Sequence, residues 1–136
     1  MDSTVFLRAL PSTFPEATDA YFECSGIADD VVQIFQRHTH PGLYLPEPQT
    51  IWSTGTIKRF HCRFTAALCE ALVIASEHRA ETELFDHVFL YADRQVLLEW
   101  PDAFANCIWL APSIDEPRVR DFAATCGLRY KLAGAG

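Results

Sequence analysis

Hydrophobic residues recur at helical spacing through the middle of the chain. From about residue 56 to residue 79 they form one apolar stripe, with a second apolar group on its flank. The stripe consists of Ile57, Phe60, Phe64, Leu68, Ala71, Leu72 and Ala75, and the flank of Cys62, Ala66, Cys69 and Val73. A helix that packs on one side needs only one stripe. The pattern therefore predicts a central buried helix that begins near Thr56 and has neighbours on two sides.

The segments before this helix carry shorter signals. Residues 4–10 form an apolar run, which we interpret as a strand. Residues 13–16, Thr-Phe-Pro-Glu, supply a cap, a proline for the first turn and a capping-box glutamate, and predict a helix to about residue 24. A strand over residues 21–24 is the alternative. Asp29-Asp30 suits the first turn of a further helix.

The second half of the chain carries strand patterns. Residues 87–91 and 95–100 are short runs rich in β-forming residues, and the connection at residues 92–94 is short enough for a hairpin. Residues 106–110 would add a third strand after the turn at Pro101-Asp102. We expect an antiparallel meander in this part of the chain.

Residues 112–117 have the composition of a helix start, and Gly127 is placed to end that helix. Residues 128–132 would follow as a last strand. The sequence thus predicts an α+β fold in a single domain over residues 1–136. It would have a central buried helix, N-terminal helices and a C-terminal antiparallel β-meander followed by a helix and a strand. A mixed sheet is the alternative.

Composition restricts the class of protein. The chain has 136 residues, of which 49% are hydrophobic and 21% charged, so it is far from the composition of disordered proteins. The N-terminus lacks the basic region of a secretory signal, and no apolar run approaches the length of a membrane span. Five widely spaced cysteines without a C-x-x-C pair argue against a disulfide framework and a zinc ribbon. We expect a cytoplasmic protein.

Charge narrows the range of partners. Eighteen acidic residues against eleven basic ones give a net charge of −7. Such a field repels nucleic acid and anionic membranes, and it attracts a more basic protein. Acidic and aromatic residues in the second half of the chain are our candidates for the partner surface: Asp93, Glu99, Trp100, Asp102, Asp115 and Glu116.

The segment before the central helix offers a second kind of site. Hydroxyls, a glycine and two cations precede and begin that helix, where free amides and the helix dipole favour an anion. The candidate residues are Ser53, Thr54, Gly55, Thr56, Lys58 and Arg59. This anion site, for a small-molecule ligand or an enzyme substrate, is the alternative to the protein-binding interpretation.

Motifs for catalysis are weak. His38 and His40 could share a metal ion if they lie on an extended segment, although the continuation of a hydrolytic zinc motif is missing. Cys62 beside His61, and Cys107, are the only candidate nucleophiles, and core thiols explain them better. We therefore expect a binding or inhibitory module rather than an enzyme, without a cofactor and with a homodimer as an option. Bacterial immunity proteins, which neutralise toxins, are one class of this general kind.

Overall fold

The computed structural model describes residues 2–25, 27–40, 58–77, 84–101, 103 and 107–132. Within these residues the chain forms four helices and a five-stranded antiparallel sheet, so the predicted α+β fold is confirmed. The elements in chain order are α1 Ser3–Thr13, β1 Asp19–Cys24, α2 Asp29–His38, β2 Lys58–Arg63, α3 Ala66–Ser76, β3 His87–Ala92, β4 Gln95–Trp100, β5 Trp109–Leu110 and α4 Glu116–Cys126. No helix in the described part of the chain is long and apolar enough to cross a bilayer.

The sheet has the strand order β2-β1-β3-β4-β5, so β2 and β5 are its edges. Successive strand residues face opposite sides of a sheet. One side carries Phe22, Leu90 and Leu98, which join the helices in the main hydrophobic core. Trp100 is the largest fully buried side chain of this core and packs against Phe6 of α1, with ring centroids 4.6 Å apart.

The other side of the sheet, which we call the open face because no described helix packs on it, has a separate small cluster of buried residues. It consists of Tyr21, Phe89 and Tyr91, with Val96 packed beside it, and no residue of the described helices belongs to it. The Tyr21 hydroxyl donates a hydrogen bond to the buried Glu23 carboxylate at 2.8 Å. The helices and the open face therefore lie on opposite sides of one sheet.

The predictions for the N-terminal segment placed a strand before a helix, and the observed order is the reverse. Residues 4–10 lie in α1, because Asp2 caps that helix through the Thr4 amide and apolar residues at helical spacing face the core. Residues 15–16 form a turn rather than a helix start, and β1 follows. The alternative of a strand over residues 21–24 is confirmed. The helix that begins at Asp29 is confirmed as α2.

The central helix is shorter than predicted. The strand β2 occupies residues 58–63, and α3 begins only at Ala66, after Thr65 accepts a hydrogen bond from the Leu68 amide. A helix start near Thr56 is therefore wrong, because Phe60 and Cys62 alternate inward with outward polar residues, as in a strand. The two-sided packing of the helix is confirmed, since α3 contacts both α1 and α2.

Predictions for the second half were better. The hairpin of β3 and β4 is confirmed, and its turn residues Asp93 and Arg94 have positive φ angles of 49° and 67°. The third strand is only two residues long. In α4, Asp115 caps the first turn and Gly127 ends the helix with φ of 68°. Residues 128–132 follow without strand pairing, so the last predicted strand is wrong.

Candidate functional site

The outer side of α3 combines an exposed apolar side chain with carboxylates. Ile74 is 60% exposed, more than any other large hydrophobic residue in the described part of the chain. Glu70 precedes it by four residues and Glu77, at the end of the helix, follows it by three, so all three lie on one side. We call Glu70, Ile74 and Glu77, with the exposed Ala67, the acidic stripe.

The acidic stripe faces outward because the rest of α3 is held inward. Leu68, Leu72 and Val73 are buried in the core. The buried Ser76 hydroxyl lies 2.6 Å from the Thr4 hydroxyl of α1, which fixes the rotation of α3 against its neighbour. With both flanks covered by α1 and α2, only one side of the helix remains exposed.

More carboxylates lie at the end of α3 that carries Glu77. The helix α2 starts near the end of the sheet where Cys24 pairs with Lys58. Its C-cap, Thr39, pairs with Cys62, near the other end of β2. The helix α3 starts after β2, so it runs antiparallel to α2. The first turn of α2, with the exposed Asp29 and Asp30, therefore lies at the same end of the helical layer as Glu77.

A region of opposite charge lies on β2. Phe60 and Cys62 face the core, so Arg59, His61 and Arg63 face the open side. His40 joins them: its amide donates to the His61 carbonyl at 3.0 Å, and its Nε2 lies 2.7 Å from an Arg63 guanidinium nitrogen. We call Arg59, His61, Arg63 and His40 the basic row.

The six predicted partner residues do not form one surface. Trp100 is 1% exposed and lies in the core, so its assignment to a surface was wrong. Glu99, its neighbour, lies on the open face opposite Phe89 and Trp109. Asp93 lies in the hairpin turn, and the part of β4 between this turn and Glu99 is about 13 Å long. Asp102 lies outside the described residues.

The remaining two acids of that set belong to α4. Asp115 accepts a hydrogen bond from the Arg118 amide as a helix cap, and Glu116 accepts one from the Tyr130 hydroxyl at 3.2 Å. Both are exposed. Their local partners give them structural roles. Any partner contact there stays a prediction.

The predicted anion site lies partly outside the described residues, which do not include Ser53, Thr54, Gly55 and Thr56. Lys58 and Arg59 are described and lie on β2, where no helix dipole acts on them. The physical argument from a helix N-terminus was therefore wrong for these two cations, although both are exposed.

The histidine pair has a different geometry from the one predicted. His38 is the last residue of α2 and its Nδ1 donates to the Ile34 carbonyl at 2.8 Å, while His40 lies beyond the cap beside Arg63. The two residues do not share an extended segment. Among the described residues, no three His, Cys, Asp or Glu side chains are grouped so that they could hold a metal ion.

The buried thiols are not nucleophiles at neutral pH. Burial raises the pKa of Cys62 and of Cys69 to about 12. His61, the neighbour of Cys62, faces the open side while Cys62 faces the core. A shallow groove of about 470 Å³ between α1 and α4 includes Arg8 and Arg118, but these cations are paired with Glu77 and Glu16.

The acidic stripe was not found from the sequence. The only signal was the spacing of Ile74 between Glu70 and Glu77, and the apolar residues around the whole of α3 obscured it. Comparison of the chain with known protein families, with curated proteins and with solved structures finds no match.

Proposed function

We propose that this protein is a small binding module that engages a more basic protein through the acidic stripe of α3. The observation that supports the proposal is Ile74, 60% exposed between the carboxylates of Glu70 and Glu77. A more specific version of this proposal is that the protein is an inhibitor, similar in kind to the immunity proteins, and that its binding neutralises the partner. The five cysteines are all free thiols, which is in keeping with a reducing compartment such as the cytoplasm.

An exposed apolar side chain with carboxylates beside it suits a protein partner. The apolar part provides affinity when water is removed from it, and the carboxylates attract and orient a cationic surface. Asp29 and Asp30 extend the negative field at one end of the stripe. The net charge of −7 acts in the same direction at longer range.

Replacing Ile74 by Ala tests the proposal. Burial of an isoleucine is worth about 1.5–3 kcal/mol, so at 60% exposure we expect a loss of about 1–2 kcal/mol of binding free energy. This corresponds to a Kd raised roughly 5- to 30-fold. Folding stability should change little, because the side chain makes few contacts in the free protein and alanine favours a helix.

Immobilised protein is exposed to lysate of the producing cells at low and moderate salt, and retained proteins are quantified by mass spectrometry. Leu132→Ala is the matched control, since Leu132 is 45% exposed on the C-terminal segment. We expect a stoichiometric basic protein on wild type and on the control. It should be depleted on Ile74→Ala and released as salt rises. Equal retention by all three proteins would refute the proposed site.

A further inference from the structure

The basic row lies on β2, on the open face and away from the acidic stripe. Arg59, His61 and Arg63 alternate with inward residues, so their side chains point to the same side at i, i+2 and i+4. The two arginines are about 13 Å apart along the strand, with His61 between them. Both arginines are exposed, and the His61 ring is half-buried against Tyr21 at a centroid distance of 4.9 Å.

Arg63 contacts the ring of His40. A guanidinium group has only N–H donors, so Arg63 donates to His40 Nε2 at 2.7 Å. The His40 Nδ1 is buried and has no hydrogen-bond partner among the described residues. His40 thus holds the Arg63 guanidinium without neutralising its charge.

Two acidic residues of β1 lie near the basic row. Glu23 and Asp19 of β1 lie opposite Arg59 and Arg63 in the strand register. Glu23 accepts the Tyr21 hydroxyl at 2.8 Å, and Asp19 accepts the Thr18 hydroxyl at 2.7 Å. In the described part of the chain neither Arg59 nor Arg63 forms an ion pair. Arg8, Arg118 and Arg120, which belong to α1 and α4, all do.

We propose that the basic row is a binding site for a phosphate group of a small molecule, held by Arg59 and Arg63 with His61 between them. Guanidinium groups bind phosphate through paired N–H donors, as Arg59 and Arg63 can do. The site is independent of the acidic stripe, because β2 presents it on the side of the sheet opposite the helices.

A small ligand fits the row better than a macromolecule does. The outer edge of β2 is already paired at Thr39 and Cys62 and at the His61 carbonyl, so this part of the edge is not available to an added peptide strand. A nucleic acid would experience the repulsion of the net charge of −7, and two arginines neutralise few of its phosphates. A single phosphate group needs only the donors that the row provides.

The test is a titration of the isotope-labelled full chain with inorganic phosphate and with pyrophosphate, followed by NMR at constant ionic strength. We expect saturable shifts of the Arg59, His61 and Arg63 signals. Arg59→Gln and Arg63→Gln should each raise the Kd about tenfold or more. Arg120→Gln is the matched control, because Arg120 is an exposed arginine of α4 whose loss should leave the Kd unchanged.

Three outcomes would overturn this proposal. The first is the lack of a saturable shift at the basic row. The second is an equal loss of affinity in Arg120→Gln, which would show that net charge alone attracts the anion. The third is binding of an acidic polypeptide or of single-stranded RNA at this row without binding of phosphate or pyrophosphate. Circular dichroism of each variant establishes that it is folded, so a negative result counts.

Discussion

The acidic stripe of α3 and the basic row of β2 differ in sign and in chemistry. The stripe places an isoleucine that is 60% exposed between carboxylates. The row contains arginines and imidazoles, and the aromatic ring of Tyr21 beside it is fully buried. An apolar centre with charges beside it suits a protein surface, whereas guanidinium donors without an exposed apolar centre suit a small anion.

The difference shows that the net charge of −7, a sum over the whole chain, does not give the local charge of either surface. Ion pairing decides what each surface presents. On α4, Arg118 is held by Glu16, whereas the exposed Arg8 of α1 lies 3.7 Å from Glu77 of the acidic stripe in a weaker ion pair. On β2, Arg59 and Arg63 form no ion pair within the described residues, and the nearby carboxylates of Asp19 and Glu23 accept hydroxyl hydrogen bonds. Both regions depend on the same sheet and core, but they lie on opposite sides of the sheet, so a surface mutation can change one of them alone.

The largest expected effect comes from a substitution in the hydrophobic core that supports both regions. Trp100 is 1% exposed and packs on Phe6, so Trp100→Ala should lower the free energy of unfolding by about 3–5 kcal/mol. Both proposed binding activities should then be lost together. Urea unfolding followed by far-ultraviolet circular dichroism measures the change. Trp109→Ala is the control, since Trp109 is 43% exposed. Equal destabilisation by both variants would contradict the assignment of Trp100 to the core.

Reversing one charge of the acidic stripe should separate the two regions. Glu70→Lys places a cation beside Ile74, and we expect about a tenfold weaker association with the basic partner at low salt, mainly through a slower on-rate. Phosphate binding at the basic row should be unchanged. Surface plasmon resonance over a salt series measures the first effect, and NMR titration the second.

Asp121→Lys is the matched control for that experiment, because it makes the same charge change at an exposed residue of α4. It should leave the partner on-rate nearly as in wild type. If Asp121→Lys slows association as much as Glu70→Lys does, the whole-molecule charge, and not the acidic stripe, governs the encounter.

Local signals explain which elements could be predicted from the sequence. The helix α4 has a side-chain cap at Asp115 and a glycine at the position that requires a positive φ. The hairpin of β3 and β4 has two short runs of β-forming residues and a short connection. In each of these elements the residues that set the boundaries lie directly beside the element in sequence.

The residues around β2 could not be assigned in that way. Phe60, Phe64 and Leu68 fit a helical period, while Phe60, Cys62 and Phe64 fit the period of a strand. Pairing with β1, which is distant in sequence, decides the outcome. The exposure of Ile74 likewise depends on which sides of α3 are covered by α1 and α2. Both candidate regions thus result from tertiary contacts that a local pattern does not contain.

The smallest expected effect is on stability and comes from the ion pair of Arg118 with Glu16, which contrasts with the arginines of the basic row. Arg118 donates to Glu16 and to the Thr13 carbonyl, and its hydrogen bond holds the pKa of Glu16 below the usual value of 4.5. A lowered folded-state pKa gives a stability contribution that is present above the unfolded value and is lost as the pH falls through the folded one. With side chains 29% and 40% exposed, this pair contributes at most about 1 kcal/mol.

We therefore expect Glu16→Gln to lower the free energy of unfolding by about 0.5 kcal/mol at neutral pH. The difference from wild type should disappear as the pH falls from about 5 to about 3. Urea unfolding across this pH range measures it, with Asp121→Asn as the control for a more exposed carboxylate that pairs only with its chain neighbour Arg120. A difference that persists at low pH would show that Glu16 acts through packing rather than through its charge, and the contrast between paired and unpaired arginines would lose its electrostatic basis.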